Sequence, residues 1–167
     1  MMAVAATGPI QLDDTNPRSE VVLELIDDHF PLVLIRWVGH LQPQHLLELM
    51  RFYDEVGARA ADERTRLVHM VDAREATLPS ALVRDMLVDW LTERPRGSRA
   101  GPTIIIASNP LIRGVVTSLK WATGRGAGLA IVPKIELAIE RAVECFHAAG
   151  LEPPSVLAGA SPKSSAV

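Results

Sequence analysis

The chain has 167 residues, a formal net charge of −3, 48% hydrophobic residues and 22% charged ones. That is the length of one domain with an ordinary globular balance, and it offers no basic footprint for nucleic acid. A lone cysteine, Cys145, excludes an internal disulfide and points to a reducing cytoplasm. Apolar runs such as "TIIIA" and "PLVLI" are far too short to cross a membrane.

The opening "MMAVAATGPIQLDD" lacks a basic leader and a full apolar segment, so it does not read as a signal peptide. Residues 1–18 and 151–167 are rich in Pro, Gly, Ser and Ala without hydrophobic period, and are expected to be flexible tails around one domain at 19–150. "EVVLELI" and "LVLIRWV" are short runs rich in Val, Ile and Leu; Asp27, Asp28 and Pro31 between them suit a turn, so an antiparallel hairpin is predicted. A helix follows in "PQHLLELMRFYDEVGARA". Pro43 lies in its first turn, and Leu46, Leu47, Met50, Tyr53 and Val56 or Gly57 form its inner face.

"RLVHMVD" reads as a third strand, followed by a second helix from about 78 to 93 with Leu82, Met86, Leu87 and Trp90 inward. After the loop "RPRGSRAGP", the unbroken "TIIIA" suits a central strand covered on both faces. "SNP" starts a third helix with Asn109 or Ser108 as its cap, Pro110 in the first position, and Leu111, Ile112, Val115 and Leu119 inward. "GRGAG" ends that helix, "LAIV" is a fifth strand, and the last helix carries Ile135, Ala138, Ile139, Ala142 and Phe146 on one stripe up to Gly150. The order ββαβαβαβα predicts a single α/β domain with a mixed, mostly parallel five-stranded sheet and helices packed on it.

Specific chemistry is sparse. The glycines of "GRGAG" follow a helix and precede a strand, the reverse of a dinucleotide-binding turn, and no Gly-Lys-Ser/Thr phosphate loop occurs. "VDARE" is similar to the strand and loop that open rhodanese domains, but Cys145 lies in the final helix rather than in a loop of backbone N–H groups, so no such activity is expected. His29, His40, His45, His69 and His147 form no metal-binding spacing. Ser80, His40 and Asp72 include the residue types of a hydrolytic triad but lack a Gly-x-Ser-x-Gly elbow. No catalytic residue, metal or cofactor is therefore predicted.

"LVHMVDAREATLPSALVRDML", "IIIASNPLIRGVV" and the closing "IVPKIELAIERAV" resemble the SpoIIAA-like (STAS-type, STAS/SEC14-labelled) bacterial domains over roughly residues 20–150. The resemblance implies a cytoplasmic, bacterial, non-enzymatic signalling domain that acts through protein–protein interaction. Fourteen of the seventeen basic residues are arginine, as in a GC-rich genome. In anti-sigma antagonists of this class a Ser or Thr at the start of the second helix is a phosphorylated switch, which makes Thr77 and Ser80 the candidate acceptors. Here Ser80 is followed by "ALVRDM", without the family's glycine-rich turn. A hydroxyl at a helix start is equally well explained as a cap, whereas a phosphate there would meet the helix dipole with Arg74 nearby.

Topology supplies a second candidate. Ligands of open α/β sheets gather at the carboxyl ends of parallel strands. In this chain His40, Asp72, Arg74, Ser108, Asn109, Arg113 and Lys134 leave those ends, a set able to hold an anion or an acidic partner. The plainer alternative is that Asp72 pairs with an arginine and the remainder face water. Expected partners are a protein, not nucleic acid and not an integral membrane association. A homodimer through the first strand or an exposed helix fits the pattern, Trp121 being the tryptophan expected at the surface. The other function class is a small-molecule binder for a lipid or amphiphile, with "WATGRGAGLA" as a pliable wall.

Overall fold

The computed structural model describes residues 23–93, 101–124 and 128–158. The N-terminal segment 1–18, most of the "RPRGSRAGP" loop and positions 125–127 of "GRGAG" lie outside the described residues. The elements are β1 (Leu23–Ile26), β2 (Leu32–Gly39), α1 (Pro43–Asp62), β3 (Val68–Ala76), α2 (Ala81–Glu93), β4 (Thr103–Ile106), α3 (Pro110–Ala122), β5 (Leu129–Val132), α4 (Ile135–Ala148) and the short α5 (Ser155–Ala158). They form one sheet in the order β1-β2-β3-β4-β5, antiparallel at β1–β2 and parallel elsewhere. The expected α/β architecture and element order are present, with α5 added.

The hairpin closes where Asp27, Asp28 and Pro31 suggested: the Asp27 carbonyl accepts from the Phe30 N–H at 3.0 Å, and that of His29 from the Leu32 N–H at 3.0 Å. Strand alternation then divides the core between the two faces of the sheet. Leu32, Leu34, Val68, Met70, Ile104 and Ile106 pack against Ala138, Ile139, Ala142 and Phe146 of α4. Val33, Ile35 and Leu67 meet Val56 and Ala60 of α1, while Ala73, Ala76, Ile105 and Ile131 meet Ile112 and Val116 of α3. α4, joined by α5, therefore covers one face, and α1, α2 and α3 cover the other. That is why "TIIIA" has no polar alternation.

In α1 the Gln42 N–H donates to His45 Nδ1 at 3.1 Å, closing a capping box ahead of Pro43. Tyr53 stacks on the buried His69 at 4.8 Å and meets Trp90 edge-on at 5.2 Å, tying α1, β3 and α2 together. Leu47, expected inward, is 49% exposed; Leu46, Val56 and Ala60 set the buried phase instead. Cys145 sits half-buried against the α4 core, and burial pushes its thiol up, as expected of an inert structural cysteine. The packed domain also runs past the boundary expected at residue 150. Leu157 in α5 is fully buried in the α4 cluster, with Leu151 and Val156 packed beside it. Among the described residues no helix is long and apolar enough to cross a membrane.

Candidate functional site

Four parallel strands deliver their loops to one edge of the sheet. β2 ends at Gly39, where φ is +69°, and His40 beyond it is exposed. β3 does not stop at Asp72, as its sequence suggested, but continues to Ala76, because a register shift opposite Arg36/Val38 lets it bulge and keep pairing. Its exit is tied down: the Thr77 N–H donates to the Gly39 carbonyl at 2.9 Å, and Pro79 is buried. α2 consequently begins at Ala81, three residues later than expected, with Pro79 outside it.

Ser80 is the cap. Its Oγ accepts from the Val83 N–H at 3.3 Å and its carbonyl from the Arg84 N–H at 3.0 Å. Thr77, exposed and three residues upstream, lies beyond the reach of the first helical turn. Ser80→Ala should therefore cost about 1 kcal/mol and Thr77→Ala about half of that or less, measured as urea unfolding midpoints. Equal costs would remove Ser80 from the capping role. At the next strand exit Asn109 caps α3, its Oδ1 accepting from the Leu111 N–H at 2.9 Å, with Pro110 in the first position. Ser108 beside it is exposed. Lys134 occupies the cap position of α4 without a side-chain cap bond.

The charged residues face the other way. Parallel pairing sets Arg36 beside Asp72, and both share the α4 side of the sheet with Leu34 and Met70. Asp72 is only 6% exposed. Its Oδ1 accepts from the Arg74 backbone N–H at 3.1 Å and from Nε at 2.9 Å, while Oδ2 accepts from Nη2 at 2.8 Å. Arg36 donates to Glu75 at 2.8 Å, and that bond raises the guanidinium above its ordinary value. Asp72 and Arg74 thus satisfy each other, as in the plainer of the two sequence alternatives. They stand on the α4 side, whereas Ser80 and Asn109 start helices on the opposite one.

Asp72→Asn keeps an acceptor for the Arg74 N–H but removes the charge facing its fork. Breaking a buried pair costs 3–5 kcal/mol, but the Arg74 side chain is 35% exposed, so solvent screening reduces the expected loss to about 1–2 kcal/mol. A midpoint change below that of Ser80→Ala would show the pair to be inconsequential. Arg36, Asp72, Ile26, Leu34, Met70, Ile106 and Ile135 line a cleft of about 20 Å³. That is room for about one water, against the roughly 300 Å³ and more that a drug-sized ligand occupies. As it stands this cleft does not admit an amphiphile. The "WATGRGAGLA" wall expected for such a ligand includes positions 125–127, outside the described residues.

Two residues expected inward are instead at the surface of this edge. Leu82 is 60% and Leu111 62% exposed, and Leu78 before α2 is 44% exposed. In α2 the buried phase is set by Val83, with Met86 and Leu87 beside it; in α3 it is set by Ile112 and Val116. Each leucine precedes the first buried residue of its helix by one position, a rotation of about 100° away from the core. Arg113, one turn into α3, is exposed as well. Sequence reasoning missed these leucines because an apolar pair at a helix start fits either of two stripes. It missed Arg36 and Glu75 because their meeting depends on cross-strand register. Among the described residues no three His, Cys, Asp or Glu side chains converge as metal ligands.

The chain matches no protein-family profile and no curated protein. In structure it is similar to an anti-sigma factor antagonist from Mycobacterium paratuberculosis, with 12% sequence identity and a TM-score of 0.48; the match covers 74% of this chain and 97% of that one.

Proposed function

We propose that this chain is a regulatory docking domain of the SpoIIAA-like class, binding a protein partner through the loops at 77–82 and 108–113 and the start of α2. The supporting observation is the exposed trio Leu78, Leu82 and Leu111 at two neighbouring helix starts, with the Ser80 hydroxyl between the first two. Apolar side chains grouped on one edge and rimmed by Ser108 and Arg113 suit a partner surface.

Ser80 is the acceptor in this proposal, ahead of Thr77, because only Ser80 has the free N–H groups of a helix start beside it. The fork of Arg74 is already engaged by Asp72, so Arg84, one turn into α2, is the cation offered on the same helix. A phosphate between Leu78 and Leu82 would have to be desolvated on docking, and would weaken it.

The test has two arms. Peptide mapping of the protein isolated from its own host should place a phosphate on Ser80 within the tryptic peptide 75–84. A photo-crosslinking residue at Leu82 should capture one protein reproducibly, while the same residue at exposed Glu140 on the α4 side should not. An unmodified Ser80 across growth conditions removes the switch and leaves docking standing. Equal capture at both positions, or none at Leu82, removes docking.

A further inference from the structure

Trp121, at 77%, is the most exposed of the large apolar side chains among the described residues. It is not an isolated surface residue. Ile112 and Val116 hold α3 to the core, and the opposite stripe consists of Gly114, Thr117, Ser118 and Trp121, all exposed. Among the described residues nothing accounts for the glycine: a Cβ at Gly114 would meet none of their atoms within 4 Å, so it weakens the helix without relieving a contact with them. The Ser118 hydroxyl donates back to the Gly114 carbonyl at 3.0 Å, which leaves a flat floor beside the indole.

Charge separates this helix from the rest of the molecule. From residue 101 to 134 there are four basic residues and no acidic one, in a chain of net charge −3. α1, α2 and α4 each carry at least three acidic residues, whereas α3 carries only Arg113 and Lys120, both on one flank of the stripe. We propose that the outer face of α3 docks an acidic amphipathic helix of a partner protein. Trp121 is the anchor, Gly114 and Ser118 form the floor over which the partner's backbone passes, and Arg113 and Lys120 meet its carboxylates. A second copy of this chain offering the same face brings no carboxylate to it, so Arg113 and Lys120 would meet no opposite charge. A lipid surface would make no use of a glycine floor. This surface shares Arg113 with the leucine edge but includes neither Ser80 nor the three exposed leucines.

The probe is a designed amphipathic helical peptide of about 18 residues, five turns, with a Leu/Ala stripe flanked by Glu, alongside its Lys-flanked counterpart. The full chain carries 5-fluorotryptophan, and Trp121→Phe assigns the Trp121 resonance. The Glu peptide should shift that resonance saturably, and the Lys peptide should not. Gly114→Gln should raise the thermal midpoint yet weaken binding at least tenfold, a combination that misfolding does not produce. Arg113→Glu with Lys120→Glu should reverse the preference between the two peptides. An unmoved Trp121 resonance at millimolar Glu peptide overturns the proposal. So does a shift caused by phosphatidylserine vesicles but not by the Glu peptide, or one caused by raising the protein concentration alone.

Discussion

Gly101→Ala should destabilise this protein by about 3–5 kcal/mol, the range of a core or backbone lesion rather than a surface change. Gly101 has a φ of +64°, and a Cβ built there falls 1.6 Å from the Leu67 carbonyl oxygen and 2.6 Å from its carbon. Both obstacles are backbone, so no side-chain rotation relieves them, and left-handed geometry adds about 1 kcal/mol for alanine. The chain must move at the point where β4 enters the sheet. There the His69 N–H donates to the Pro102 carbonyl at 2.9 Å, so the displacement reaches β3 as well. Gly128→Ala is the control: a Cβ there meets nothing within 4 Å, and its effect should stay within about 0.5 kcal/mol. Urea midpoints at unchanged slope measure both, and a Gly101→Ala loss under about 1 kcal/mol would mean that the β4 entrance relaxes freely.

Ending the chain after Gly150 should cost about 4 kcal/mol, although the composition of that segment is that of a flexible tail. Leu157 is 1% exposed within the cluster that holds Phe146, Leu34 and Met70. Truncating one buried leucine to alanine costs roughly 2–5 kcal/mol, and the shortened chain also loses Leu151 and Val156 from the same surface. Leu157→Ala should reproduce most of the loss in guanidinium unfolding. If the shortened chain unfolds at the same midpoint as the full one, α5 rests on the domain without supporting it.

These two positions show where sequence reading reaches and where it stops. The alternation of strands and helices was legible because each element is set by its own apolar period; the α4 stripe of Ala138, Ile139, Ala142 and Phe146 is buried as predicted. Phase at helix starts was not legible, since Leu82 and Leu111 have apolar neighbours one position on and only tertiary packing decides which turns inward. The pairing of Arg36 with Glu75 needed the bulge in β3, a property of two strands taken together, whereas that of Asp72 with an arginine was already one of the two sequence alternatives. α5 was hidden because four helical residues after Pro153 and Pro154 carry no period of their own. Gly101 read as one more loop glycine; nothing in its neighbours announces the Leu67 carbonyl.

The spatial order of the strands is also their order of synthesis. Each strand leaving the ribosome can add to the edge laid down by the one before it, and none has to be inserted between two that are already paired. Growth of this kind keeps β1 to β4 free of topological rearrangement while the chain is still lengthening. The α4 side behaves differently, because Phe146 and Leu157 come last and complete that core together. Until they emerge, Leu34, Met70 and Ile106 remain uncovered on a growing sheet. The nascent chain is therefore most prone to aggregation after β4 has emerged and before α4 and α5 have, and slowing translation over that interval would prolong the exposure.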